Sequence, residues 1–216
     1  LNLTVVKGMT VLAVVAACGA AGYVLGSLLS PIYHNRNFPW IVARASGIGA
    51  FLALGLLCIV GVVFRRAPTN RFRWHAETLL RVHVALGPAV MMLIVAHVAS
   101  LLADRYSGVS WRSLVVPNSA TYRPGAVTYG MLAALTILMV FLTAVLAGRW
   151  GLGRRWVVVH KLAYPAFGLT WVHGVLVGSD TSALLALYLV VGALVLAATI
   201  SMLVRTPVSQ RIRTVE

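Results

Sequence analysis

The sequence predicts an all-α polytopic membrane protein, a single six-transmembrane-helix bundle over residues 1–216 with both termini in the cytoplasm. Three observations predict it. Of 216 residues, 60% are hydrophobic and 10% charged, whereas a soluble domain carries about a quarter charged residues. Six apolar runs reach the length of about 20 residues that a helix needs to cross the hydrocarbon layer. The 18 Lys and Arg residues are divided unequally between the connections that alternate from one side to the other.

The runs cover residues 9–29, 41–64, 79–103, 127–147, 157–178 and 183–204. The first contains VAAC, ending at Cys18, which has the form of a lipoprotein cleavage box. The apolar run continues to Leu29, longer than a signal peptide requires, and is therefore expected to be a true span. Cys18 and Cys58 fall on different spans, where each reads as a small apolar packing residue. Residues 30–40 form a short, turn-like connection containing Pro31 and Pro39. Residues 104–126 form the longest loop, including WRSLVVPNSATYRPG, long enough for a small cap or docking surface. The connections at 65–77 and 148–156 are compact and basic, and twelve residues follow the last span. So short a tail is expected to hold no flavin or nicotinamide site.

Thirteen of the 18 basic residues lie on Lys7, the second and fourth connections, the flanking Arg81 and Lys161, and the tail. The other five are Arg36, Arg44, Arg105, Arg112 and Arg123. The positive-inside rule places the thirteen in the cytoplasm and implies a multi-pass protein of the inner (plasma) membrane. The net charge of +14 is thus a topology signal that also meets anionic lipid, and with no soluble module nucleic acid is not expected as a partner.

Of six histidines, His34 and His75 are assigned to loops, and the other four to the third and fifth spans, which run parallel. His83 and His160 lie near the starts of these spans; His97 follows His83 by fourteen residues and His173 follows His160 by thirteen. These steps rise about 21 and 19.5 Å along a helix, so the spans present His opposite His at two depths. Ionisable groups within a membrane usually face a partner, cavity or cofactor. Neutral imidazoles are good axial ligands of iron, and a bundle core is a usual place for such a site. The expectation is two b-type haems, His83 with His160 on the inner side and His97 with His173 on the outer. The alternative is four histidines hydrogen-bonded between helices. Fourteen residues return to within about 40° of the same face, whereas thirteen miss by about 140°. Pro165 and Gly168, between the histidines of the fifth span, are the places where local winding can correct the phase.

The block LGRRWVVVHKLAY…WVHG, residues 152–174, resembles the ferric reductase-like transmembrane domain. This superfamily includes NADPH oxidases, eukaryotic ferric reductases and the haem-binding subunit of the bacterial periplasmic methionine sulfoxide reductase system. Leu86-Gly87 ahead of His97, and ARASG from Ala43 at the opening of the second span, are similar to the same superfamily. The bacterial subunit has no counterpart of His83. All four histidines are present here, as in the oxidases and ferric reductases, which continue into a cytoplasmic flavin and NADPH domain. The resemblance implies haem-mediated electron transfer across the membrane, with any flavin supplied by a partner.

Arg44 is expected to reach the propionates of the outer haem or a bound acceptor, the alternative being snorkelling to the surface. Arg81 and Lys161 are the corresponding candidates at the inner haem, where topology alone also accounts for them. Trp156, Trp171 and Tyr164 read as packing or interface anchors; Gly47 and Gly87 are small enough to admit a macrocycle. The expected role is an oxidoreductase component taking electrons from a cytoplasmic flavoprotein or quinol to an external acceptor or periplasmic redox enzyme. The alternatives are a terminal reductase of ferric chelate or dioxygen at the outer haem, and a haem-free assembly or transport protein. No carboxylate lies inside a span, since Glu77, Asp104, Asp180 and Glu216 are at ends or in loops; the conduit reading is preferred for that reason.

Overall fold

The computed structural model describes residues 36–66, 73–150, 156–178 and 181–204. They form helices α1 (Phe38–Arg66), α2 (Arg73–Ala103), α3 (Pro124–Trp150), α4 (Trp156–His160), α5 (Ala163–Val177) and α6 (Thr181–Val204), with a 3₁₀ turn at Trp111–Leu114. Residues from Val42 onward belong to one compact unit, and residues up to Ile41 to a second, of which only 36–41 are described. The expected span at 9–29, Cys18, His34, residues 67–72 and 151–155 of the basic connections, and the C-terminal tail lie outside the described residues.

Among the described residues four helices are long and apolar enough to cross a membrane: Phe38–Arg65, Ala76–Ala103, Pro124–Ala147 and Thr181–Ser201. They correspond to the second, third, fourth and sixth expected spans, and the protein is a multi-pass membrane protein. In lipid every backbone amide must be bonded within the chain, which a helix does by itself. Hydroxyls along the spans follow the same rule. Thr136, Thr143, Thr170 and Thr199 each donate to the carbonyl four residues back, at 2.7–2.9 Å, so they enter the apolar layer without needing a partner helix. Met92, Val95, Leu142, Val190 and Leu196 are exposed; in water such a surface would drive association, whereas here it contacts lipid.

Two expectations change. The helix over the third run begins at Arg73 rather than residue 79, because helical bonding continues through polar residues that a hydropathy window leaves out. His75, assigned to a loop from the sequence, therefore lies within α2. The fifth span, expected as one helix over 157–178, is broken into α4 and α5 by a turn at Lys161-Leu162. Pro165 supplies the reason. It has no amide to donate, and its ring would meet the Lys161 carbonyl of a continuous helix. The Lys161 carbonyl accepts from Tyr164 instead, at 3.2 Å, and Leu162 donates to Val159 at 2.9 Å. These are tighter, three-residue bonds that rewind the chain locally. Regular winding resumes when Ala166 donates to Leu162.

One core joins the helices of the larger unit. Phe51, Leu54 and Cys58 of α1, Val90 of α2, Ile137 of α3, Ala166 and Phe167 of α5, and Tyr188 and Val195 of α6 are packed together and buried. Phe51 stacks on Phe167 with ring centres 5.5 Å apart and meets Tyr188 at 5.1 Å. Among the helices, α3 and α5 have the most extensive backbone approach. The α5–α6 contact is fixed by the Trp171 indole, which donates to the Tyr188 carbonyl at 2.9 Å. Gly192 makes room for that indole, since a Cβ there would lie 2.9 Å from Nε1.

The loop between α2 and α3 is a folded cap. Asp104, 9% exposed, accepts from the Tyr106 amide through Oδ1 at 3.0 Å. Gly108, at φ +69°, turns the chain so that its carbonyl receives the Thr121 amide. The Asn118 amide donates to Thr128 Oγ1 at 2.8 Å, tying the cap to α3, and Arg123 donates to the Leu176 carbonyl, tying it to α5.

Candidate functional site

The four intramembrane histidines meet as two pairs on α2 and the broken α4–α5 segment. The rings of His83 and His160 have centres 5.9 Å apart and are inclined at 64°. Those of His97 and His173 are 6.3 Å apart at 81°. The pairing is the one the spacing predicts, first with first and last with last. The helix break reconciles thirteen residues with a common face. A straight helix would turn His160 about 140° away from the direction of His173, yet both reach their partners on α2.

The His97–His173 pair, the one expected from the charge distribution to be the outer, is anchored to backbone. His97 Nδ1 lies 2.6 Å from the Ala43 carbonyl on α1, and His173 Nδ1 lies 2.8 Å from the Ala126 carbonyl on α3. A carbonyl only accepts, so in both bonds Nδ1 carries the hydrogen and Nε2 keeps its lone pair. Glycines permit these approaches. A Cβ at Gly47 would lie 2.8 Å from His97 Nδ1, and one at Gly130 would lie 2.6 Å from His173 Nδ1. The inner pair is held differently. Nδ1 of His83 and of His160 is buried without a hydrogen-bond partner among the described residues; the Leu57 carbonyl is near His83 but falls outside hydrogen-bond geometry. Gly61 flanks His83 more loosely, since a Cβ there would lie 3.1 Å from Cε1, and Trp156 meets the His160 ring edge-on at 5.1 Å.

The donor sets fit haem better than a bare ion. Each site offers two imidazoles, and among the described residues no three His, Cys, Asp or Glu side chains gather. A zinc ion asks for about four protein or water ligands, whereas haem iron needs only its axial positions filled. One metal–nitrogen bond of about 2 Å plus about 1.1 Å to the ring centre puts two axial imidazoles about 6 Å apart, centre to centre. Both pairs have that separation.

The basic candidates are placed unequally. Arg44 is half-buried and directly follows Ala43, the residue that receives His97. Arg81 is exposed and paired with Glu77 at 2.5 Å, one helical turn back. Lys161 is exposed in the turn that follows His160. Gly47 stands against His97, whereas a Cβ at Gly87 would meet Phe141 at 3.8 Å and no histidine. Gly61, Gly130 and the carbonyls of Ala43 and Ala126 are additions that the sequence reading missed. One signal for them was present: Gly47 and Gly61 are fourteen residues apart on α1, the same interval as His83 and His97 on α2.

A helical membrane bundle with two facing histidine pairs at separate depths defines the class of the protein. A scan of family models finds the ferric reductase like transmembrane component over residues 46–171. The chain belongs to that family. The matched region takes in His83, His97 and His160 and ends two residues before His173. No curated protein and no solved structure matches the chain.

Proposed function

We propose that the protein is a dihaem b-type membrane cytochrome that carries electrons from a cytoplasmic flavoprotein or quinol to an external acceptor or partner reductase. The observation that carries this reading is the presence of two histidine pairs, 5.9 and 6.3 Å between ring centres, in one family-typical bundle. His83 and His160 would hold the inner haem, His97 and His173 the outer one. Bound haem supplies one-electron chemistry between ferric and ferrous iron. The chain's own part is to fix each imidazole, present Nε2, and keep the space between the levels dry. Phe51, Phe167 and Tyr188 fill the core there, with Phe167 seven residues beyond His160 and six short of His173.

Structural hydrogen bonding is the rival role for the histidines. It accounts for His97 and His173, each bonded to a carbonyl, but not for His83 and His160, whose buried Nδ1 atoms have no hydrogen-bond partner among the described residues. A terminal reductase is the second reading, favoured by the half-buried Arg44, which directly follows the Ala43 that receives His97 and would offer an anionic acceptor a positive charge. The folded cap, with Arg105, Arg112 and Arg123 exposed, suits the conduit reading because it offers a surface for a partner close to the outer pair.

The pyridine haemochrome assay tests the proposal. Protein purified from cells with ample haem should carry two haems b per chain and a low-spin, bis-histidine spectrum. Protein without haem would overturn it.

A further inference from the structure

We propose, building on the dihaem reading, that Ala43 and Ala126 tune the outer pair through their carbonyls. They make His97 and His173 the more strongly electron-donating ligands and give iron held there the lower of two reduction potentials. Gly47 and Gly130 are positioning residues in this arrangement, because they let the imidazoles reach the carbonyls.

The argument starts from the hydrogen atom on Nδ1. At the outer level both Nδ1–H groups are directed at backbone oxygens, at 2.6 and 2.8 Å. Such a bond draws the hydrogen towards the oxygen and leaves more negative charge on the ring. The imidazole becomes the more basic ligand. A more basic axial ligand stabilises ferric over ferrous iron, and second-shell hydrogen bonding is a recognised lever on haem potential. At the inner level neither Nδ1 meets hydrogen-bond geometry with a partner among the described residues, the Leu57 carbonyl lying near His83 without meeting it, so the same gain in basicity is missing from both ligands there. The asymmetry concerns both members of each pair.

Glycine makes the outer bonds possible. A methyl group at 47 would stand 2.8 Å from His97 Nδ1 and 2.9 Å from Cε1. One at 130 would stand 2.6 Å from both Nδ1 and Cε1 of His173. Real Cβ atoms do not approach so closely, so alanine at either position has to displace the ring from its carbonyl. Gly168 on α5 is a control, since a Cβ there meets nothing within 4 Å. The positive charge of half-buried Arg44, next to Ala43, acts on the outer iron in the opposite sense. A charge several bonds away raises a potential without altering the ligand, so substitutions that move only the ring separate the two effects.

Redox titration of purified dihaem protein, followed in the visible haem bands, provides the test. Two components are expected. His83→Ala should retain the lower-potential component and His97→Ala the higher. Gly47→Ala and Gly130→Ala should move the lower component upward and leave the higher in place, while Gly168→Ala should move neither. The proposal is overturned if the haem retained by His83→Ala titrates at or above the one retained by His97→Ala. It is also overturned if Gly47→Ala and Gly130→Ala leave the lower component unmoved. Should the histidine variants fail to assemble, the glycine variants decide alone; should those lose the outer haem, the histidine variants decide. Wild-type protein that contains no haem at all is a separate result, and refutes the dihaem reading itself.

Discussion

The outer and inner histidine pairs are built from the same two segments, yet the chain holds them by opposite means. At the outer level, α2 and α5 place His97 and His173, and neighbouring backbones on α1 and α3 fix each ring from behind. At the inner level, alignment depends on an irregularity: His160 ends a five-residue helix, and only the Lys161-Leu162 turn brings it round to His83. Matching residue types at matching spacing thus do not imply matching sites. One is set by what lies behind the ligands, the other by how the chain is wound between them.

The largest expected effect would break the comparison outright. His97→Ala and His173→Ala should each remove the same haem, and His83→Ala and His160→Ala the other, halving the haemochrome stoichiometry in every case. A cross pattern, with His83→Ala and His173→Ala depleting a common haem, would show that the pairs are not the two levels described. Next in size is Pro165→Ala. It restores an amide and removes the ring that obstructs a continuous helix, so α4 and α5 should join and turn His160 away from His83. Loss of the inner haem with retention of the outer is expected in the optical spectrum. Equal retention of both would mean that the break does not depend on proline.

A smaller effect sharpens the comparison at the level of the electron source. Arg81 and Lys161 are exposed beside the inner pair, so an acidic soluble donor should be steered towards that side. Reduction by a flavodoxin-type protein should slow several-fold as ionic strength rises from about 0.01 to 0.15 M and the Debye length falls from about 30 to about 8 Å. A rate obtained only with a quinol analogue, and indifferent to salt, would identify an apolar donor site instead.

How much of this was legible in the sequence follows from what each feature is made of. Hydropathy located four of the expected spans among the described residues, because membrane burial acts on whole runs of side chains. It misplaced the start of α2, where the helix continues into polar sequence that no apolar average detects. The intervals of fourteen and thirteen residues gave the pairing. They also gave a warning, since thirteen residues of regular helix could not serve; Pro165 was identifiable as the place of correction, but not the resulting turn. The anchoring carbonyls were beyond reach for a different reason. Every residue has a carbonyl, so Ala43 and Ala126 carry no mark of their acceptor role. What marks them indirectly is glycine nearby, and the matching Gly47–Gly61 interval gains its meaning only when α1 is set against α2.

That last point bears on how the outer site can change over evolutionary time. A ligand side chain can be exchanged by a single codon change, but a backbone oxygen is present whichever amino acid supplies it. Substitution of Ala43 or Ala126 need not abolish the interaction their carbonyls make. Heritable control over it therefore rests with Gly47 and Gly130, two positions that act by having no side chain, and almost any mutation there adds one.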